Sequence, residues 1–219
     1  MIIAYLAKKI LLIKKESPVL VAIDGVDGAG KTFFAKKLVS ELENQKRKII
    51  NASIDNFHNN EIIRYKKGKD SPEGFYFDSF NYKLLKNKLL NPFLSGEGKY
   101  IDIAFDCVLN SEVNSTSKSI EKNSILIMEG IFLLRSELIK YWDLKIFLDV
   151  DFNITLERNI QRSKNNDKNI SVENIIDKFN KRYMLGQKIY FLDSNPKAQA
   201  NIIIDNSDFD KPKIIKDLT

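Results

Sequence analysis

The sequence predicts an α/β fold, a doubly wound five-stranded parallel sheet with helices between the strands. Three observations carry this. Five short apolar runs, at 19–23, 48–53, 125–129, 144–150 and 201–205, read as strands, and the continuously apolar ones as strands buried on both faces. Segments of helical spacing separate the runs, which is the pattern of parallel strands joined by crossovers. The first run leads straight into Gly25-Val26-Asp27-Gly28-Ala29-Gly30-Lys31-Thr32, which fits G-x-x-x-x-G-K-[ST], a phosphate-binding loop set between a strand and a helix.

Taken in order, residues 1–15 place Ile3, Leu6, Ala7, Ile10 and Ile13 roughly on one face. A short amphipathic helix packed on the domain is expected there. A secretory signal is not, because Lys8-Lys9 interrupts the apolar run and no small-residue cleavage site follows. In the glycine loop, a polyphosphate must meet several backbone N–H groups at once, so side chains must stay clear. Gly25, Gly28 and Gly30 allow that approach. Asp27, Ala29 and Phe33 complete the loop positions expected against a nucleotide. Lys31 supplies a point charge for the β- and γ-phosphates, and the Thr32 hydroxyl can ligate Mg²⁺. From Phe33 to Gln45, Phe34, Leu38 and Leu42 recur every four residues, as in a helix.

The 48–53 strand ends at Ile54-Asp55-Asn56-Phe57-His58. Ligands of open α/β sheets sit at the carboxyl ends of strands, so Asp55 suits chemistry; it equally suits a turn or helix cap. His58 is the single histidine, with a structural or a functional role open to it. Residues 59–122 form the least regular part, an insertion expected on the acceptor side. Within it, 65–74 is rich in turn formers, and 75–80 sets four aromatics around Asp78. Residues 82–90 suggest a helix stopped by Asn91-Pro92, 101–106 alternates like a half-exposed strand, and 111–122 reads as a loop.

The third strand ends in Glu129-Gly130, where an acid beside a phosphate loop can hold or orient the Mg²⁺ shell or cap the next helix. Residues 153–164 read as a helix whose Arg158 and Arg162, four apart, share a face. Arginines there can clamp a transferring phosphoryl group or merely face solvent. Ser171 should cap a further helix with Val172, Ile175, Ile176 and Phe179 inward, and Arg182 near its end. The 153–185 segment is expected to act as a helical lid.

Composition narrows the function. A chain of 219 residues suits one domain, 1–219. The net charge of +6 comes without the clustered basic run that nucleic-acid binding needs. Cys107 is the sole cysteine, so no intrachain disulfide forms. No apolar stretch is long enough to span a bilayer, and a cytoplasmic setting is expected.

The chain resembles the uridine kinase branch of the P-loop kinases, the phosphoribulokinase/uridine kinase family. The resemblance runs from about residue 17 to about residue 210. It rests on 23–32, on Asp55-x-Phe57, on the 71–80 stretch, on Met128-Glu129-Gly130, on Arg158 with Arg162, and on 193–196 followed by 200–205. It implies a P-loop kinase architecture and ATP- and Mg²⁺-dependent transfer of a phosphoryl group to a small-molecule hydroxyl. Asp55 matches the catalytic carboxylate, Lys31 and Thr32 the phosphate and metal positions, Glu129 the acid after the third strand, and the two arginines the lid. On this reading the metal set is Thr32, Glu129 and Asp55, and His58, Tyr65, Asp78, Phe80, Phe105, Asp106 and Arg182 are candidate acceptor contacts. The chain departs from the family's nucleoside kinases where Ser71-Pro72 replaces a His-Pro pair and the 100–106 stretch lacks a histidine. A pyrimidine nucleoside is the leading acceptor, with pantothenate or a sugar as the alternative. A nucleotide-binding regulator without acceptor ranks lower, because Asp55 and the long insertion would have no purpose. A homo-oligomer is compatible with all of these.

Overall fold

The computed structural model describes residues 2–43 and 45–219. Met1 and Asn44, at the edges of the two helices expected at 1–15 and 33–45, lie outside the described residues. Helix α1 (Ile2–Leu12) buries Leu6, Ala7 and Ile10. Strand β1 (Val19–Gly25) is buried along its whole length. The glycine loop follows, then α2 (Lys31–Leu42), which turns Phe34, Ala35, Leu38 and Leu42 inward. Strand β2 (Ile49–Ser53) runs into a tight 3₁₀ turn, Ile54–Phe57. Helix α3 (Pro72–Asp78) starts at Ser71, whose Oγ accepts from Gly74 N, with proline in its first turn. Strands β3 (Ile125–Glu129) and β4 (Leu144–Asp149) come next. Helix α4 (Phe152–Asn166) is capped by Asp151 and α5 (Val172–Lys178) by Ser171. A wide π-type turn, Phe179–Met184, leads into α6 (Leu185–Ser194), and β5 (Ile202–Asp205) and β6 (Lys213–Asp217) close the chain.

The sheet order is β6-β5-β4-β1-β3-β2. The five expected strands pair in parallel, and β6 joins β5 antiparallel at the edge. Sequence patterning misses β6 because its Ile214 and Ile215 are half-buried to exposed between Lys213, Lys216 and Asp217. Charge on an edge strand is expected, since it discourages pairing with another chain. Successive side chains divide the core between the two faces. Val19, Val21 and Ile23 meet α1 and α2, whereas Leu20 and Ala22 meet the aromatic layer of Phe57, Tyr76, Phe132 and Tyr190.

The 59–122 insertion departs most from expectation. Helix does not stop at Asn91-Pro92. It runs through Tyr82–Leu85, a wide turn at Lys86–Leu90 and Asn91–Ser95, ending at Gly96 with φ of 71°. Pro92 lies in the first turn of its helix, where a missing N–H costs nothing. Of the expected 101–106 strand only Phe105–Asp106 forms, paired with Ser111–Glu112, and Lys99–Tyr100 just before it pairs with Lys118–Ser119, both partners coming from the expected loop. Between Tyr100 and Phe105 the backbone bonds to Asn56 instead, whose carbonyl accepts from Ala104 N and whose Nδ2 donates to Asp102 O, both at 3.0 Å. In α5, Val172, Ile175 and Ile176 are only half-buried, and Phe179 just beyond is buried. No helix among the described residues is long and apolar enough to cross a membrane.

Helix α1 precedes the sheet yet is part of its core, since Leu6 and Ile10 are wholly buried. Ile10→Ala should therefore lower the unfolding free energy by about 2–5 kcal/mol, read from urea denaturation. A change below about 0.5 kcal/mol would mark α1 as a peripheral attachment.

Candidate active site

Register gathers the site. Ile23 of β1 and Ser53 of β2 both pair with Glu129 of β3, so three strands end side by side at one edge of the sheet. The glycine loop leaves β1, Asp55 leaves β2, and Glu129 ends β3. Buried Ile54 and Phe57 anchor the turn that carries Asp55. Ser53 Oγ accepts from Asp55 N at 3.3 Å, and His58 Nδ1 donates to the Asp55 carbonyl at 2.8 Å. Burial pushes the His58 imidazole below its ordinary value, so the ring is neutral near pH 7.

A cavity of about 580 Å³ opens over these strand ends. Asp27, Gly28, Gly30, Lys31, Thr32, Phe33, Asp55, Glu129, Arg158 and Arg162 all line it. Gly25 and Ala29, also expected at the nucleotide, form the buried back of the loop. Gly28 and Gly30 hold φ of 81° and 86°, in the left-handed region that favours glycine. At Gly30 a Cβ would also lie 2.4 Å from Phe209 Cε1. Lys31 is buried, and its Nζ donates to Val26 O at 2.8 Å. Burial raises the Glu129 carboxyl, while the Lys31 ammonium and the Ser53 and Thr32 hydroxyls hold it back.

Thr32, Glu129 and Asp55 offer a hydroxyl and two carboxylates on this cavity, all hard oxygen donors. Among the described residues no three His, Cys, Asp or Glu side chains form a metal cage. That donor set fits Mg²⁺, which takes most of its ligands from phosphate and water and one or two from the protein.

The two arginines of α4 have different tasks. Arg158 donates to the carbonyls of Gly28 at 3.2 Å, Asn206 at 3.0 Å and Ser207 at 2.8 Å, and its guanidinium lies 3.7 Å from the Phe209 ring centroid. The Arg158 N–H groups thus tie the glycine loop to the segment after β5, while the residue still lines the cavity where a phosphoryl clamp is expected. Arg162 pairs with Asp27 at 3.3 Å with 60% of its side chain exposed. It remains free to turn toward a ligand.

The seven candidate acceptor contacts lie outside the main cavity, and most of their polar atoms serve the fold. Arg182 is buried and donates to Ser71 O at 2.9 Å, Arg64 O at 3.3 Å and Gly68 O at 3.4 Å. It also covers the Tyr65 ring at 4.9 Å. Asp78 pairs with Lys66 at 2.9 Å and Lys67 at 3.7 Å. Asp106 accepts from Val108 N and Leu109 N at 2.8 and 2.9 Å, a turn cap. Phe80 and Phe105 are buried, and Phe80 packs on His58 with centroids 4.5 Å apart. Tyr65 borders another hollow, of about 380 Å³, with Asp70, Asn174 and Lys178.

Sequence patterning passes over two supports. Asn206 Nδ2 donates to Ala29 O at 2.7 Å. Asp24, wholly buried, accepts from Gly25 N at 2.6 Å and Leu134 N at 3.1 Å, and from the Tyr190 hydroxyl. A lone acid at the end of an apolar run is the signal that could have exposed it, because a buried carboxylate needs partners.

A glycine loop, a buried lysine and two strand-end acids on one cavity define the class of P-loop nucleotide-binding proteins in their kinase form. The comparisons place the chain further. The model of the Phosphoribulokinase / Uridine kinase family matches residues 20–207, and the chain belongs to that family. It is 28% identical over 169 residues to the uridine kinase of Streptococcus pyogenes serotype M5, covering 75% of this chain and 76% of that protein. It is 24% identical over 168 residues to uridine kinase-like protein 5 of Arabidopsis thaliana, where the match covers 76% of this chain and only 35% of the plant protein. Among solved structures, D-glycerate 3-kinase from Cryptococcus neoformans shares the fold, with a TM-score of 0.69 at 12% identity over 98% of this chain and 99% of that one.

Two outcomes follow from the site. Arg158→Ala strips a donor from three carbonyls, so stability should fall by about 1–3 kcal/mol in denaturant melts. Stability within about 0.5 kcal/mol of the parent, with slowed turnover, would return Arg158 to the clamp role. The second outcome concerns Asp24, which burial raises from 3.8 to about 6 despite the donors around it. The folded chain then keeps a proton that the unfolded chain has released. The Asp24 contribution to stability is thus fullest below 3.8 and is lost as pH rises through about 6. The parent-minus-Asp24→Asn difference in unfolding free energy should shrink across that window. A difference that grows with pH would show that the surrounding donors keep the carboxylate charged.

Proposed function

We propose that this chain is an ATP-dependent kinase that transfers the γ-phosphoryl group to a hydroxyl of a small molecule, with a pyrimidine nucleoside, uridine or cytidine, as acceptor. The observation that carries the reading is the convergence of Asp55 and Glu129 with the glycine loop on one cavity. The names of the curated relatives support the nucleoside.

The residues divide the work. The amides from Gly30 into the first turn of α2 would face the phosphates, since first-turn N–H groups have no partner within a helix. Lys31 would exchange its bond to Val26 O for the β/γ-phosphate oxygens. Thr32 and Glu129 would hold Mg²⁺, which when bound screens the charge of the transferring group. Arg162, released from Asp27, can follow that charge as it moves. Asp55 accepts a hydrogen bond from the acceptor hydroxyl, aligning it and taking its proton as the new P–O bond forms and the bond to the leaving diphosphate breaks.

Asp55→Asn keeps the shape and removes the base. Transfer to uridine should drop by roughly 10²–10⁴-fold, while ADP affinity changes little. Both are measured on one preparation, by coupled ADP release and by calorimetry. Transfer within about tenfold of the parent would make Asp55 a turn residue. Screening nucleosides, pantothenate and sugars in the same assay decides the acceptor.

A further inference from the structure

Helix α6 reaches the glycine loop at two points, through side chains that do not line the cavity. Gln187 Oε1 accepts from Asp27 N at 2.6 Å, and its Nε2 donates to Tyr183 O at 2.9 Å. The second bond fixes which end of the amide faces the loop. One turn on, the Tyr190 hydroxyl donates to Asp24 Oδ2 and accepts from Leu134 N at 3.0 Å. The other oxygen of Asp24 holds Gly25 N at 2.6 Å. Gln187 and Tyr190 are 1% and 3% exposed. Two loop amides, those of Gly25 and Asp27, are therefore fixed from a single helix, one directly and one through a carboxylate.

The adjoining face of α6 is pinned to the acceptor-side segment. At Gly186 a Cβ would lie 2.7 Å from Phe75 Cδ1 and 2.9 Å from Pro72 O, both in α3. Tyr76 of α3 donates its hydroxyl to Asp193 of α6 at 2.6 Å. We propose that Gln187 and Tyr190 are positioning residues of the phosphate loop, holding its first half in shape for a nucleoside di- or triphosphate from a helix anchored on the acceptor side. The physical reason is preorganisation. A loop with three glycines in eight residues has wide backbone freedom, and every conformation it must give up on binding weakens the complex. Gln187 and Tyr190 remove that freedom beforehand without touching the ligand.

This inference rests on the nucleotide site proposed above, not on the acceptor or on turnover. The test uses Tyr190→Phe, which removes one oxygen, and Gln187→Met, which keeps length and removes both amide partners. ADP with Mg²⁺ is titrated by calorimetry, and hydrogen exchange is followed at the amides of Gly25 and Asp27 and along β1. ADP affinity should fall about tenfold in each variant, the scale of one unmet buried group. Exchange should quicken at the loop amide that each variant releases, with β1 unchanged. Unaltered affinity and unaltered loop exchange would overturn the proposal. So would faster exchange throughout the sheet with normal affinity per folded molecule, which is a packing role. If Gln187→Met does not fold, Tyr190→Phe decides by the same two readouts. If the parent binds no ADP, the nucleotide reading fails, while loop exchange still decides whether these residues hold the loop.

Discussion

A loop that binds a polyanion through its own amides cannot also use those amides to hold itself in shape. Its carbonyls and its flanks must be gripped from outside, and much of this molecule is arranged around that need. Lys31 takes Val26 O, Arg158 takes Gly28 O, and Asn206 takes Ala29 O. Asp24 and Gln187 take the amides of Gly25 and Asp27 at the loop's entry. These five side chains come from β1, α2, α4, α6 and the end of β5. A glycine loop that looks local in sequence is thus a meeting point for distant elements, and its shape exists only when the whole sheet is assembled.

The same constraint explains a buried carboxylate that would otherwise be a liability. Asp24 lies with no exposed surface, and burial drives its pKa up to about 6 against the pull of the donors around it. An apolar residue there would avoid that cost. It would also leave Gly25 N and the Tyr190 hydroxyl without an acceptor, and it would cut the link between α6 and the loop. Strand order supplies the rest of the geometry. Asp55 follows β2, which lies two strands from β1, with Glu129 on the strand between. Two strand spacings are about 10 Å, enough for a phosphoryl group and an incoming hydroxyl to lie between loop and base. The intervening acid, Glu129, lies on the same cavity, between the loop and Asp55, as the proposed metal-holding role requires.

The parallel strands were legible because burial on both faces writes continuous apolar runs, as in 19–23, 125–129 and 202–204. What patterning lost was built by other means. Strand β6 alternates exposed and half-buried residues at an edge, with charges on both sides of Ile214 and Ile215, so no long apolar run marks it. The segment 101–104 is straight in its alternation yet bent in space, because Asn56 captures its backbone. Pro92 stops a helix in isolation, but here it begins a new turn after a wide one.

Site residues divide along a similar line. The residues that converge on the cavity were readable as a group, since glycines, lysine, threonine and strand-end acids stand at the fixed spacing that a phosphate demands. The seven expected acceptor contacts do not converge there, and Asp78, Asp106 and Arg182 are occupied with lysines, turn amides and carbonyls. A charged side chain in an irregular segment has a prior task, which is to satisfy a backbone that no sheet or long helix satisfies. Arg158 and Arg162 show the same division within one helix. They share chemistry and spacing, but the one beside three carbonyls is held by them, whereas the exposed one is engaged with Asp27 and Asn159 through Nη2 alone and keeps its other donors for a ligand. Sequence spacing says which face such residues occupy; only the neighbouring backbone decides which of them the fold has already claimed.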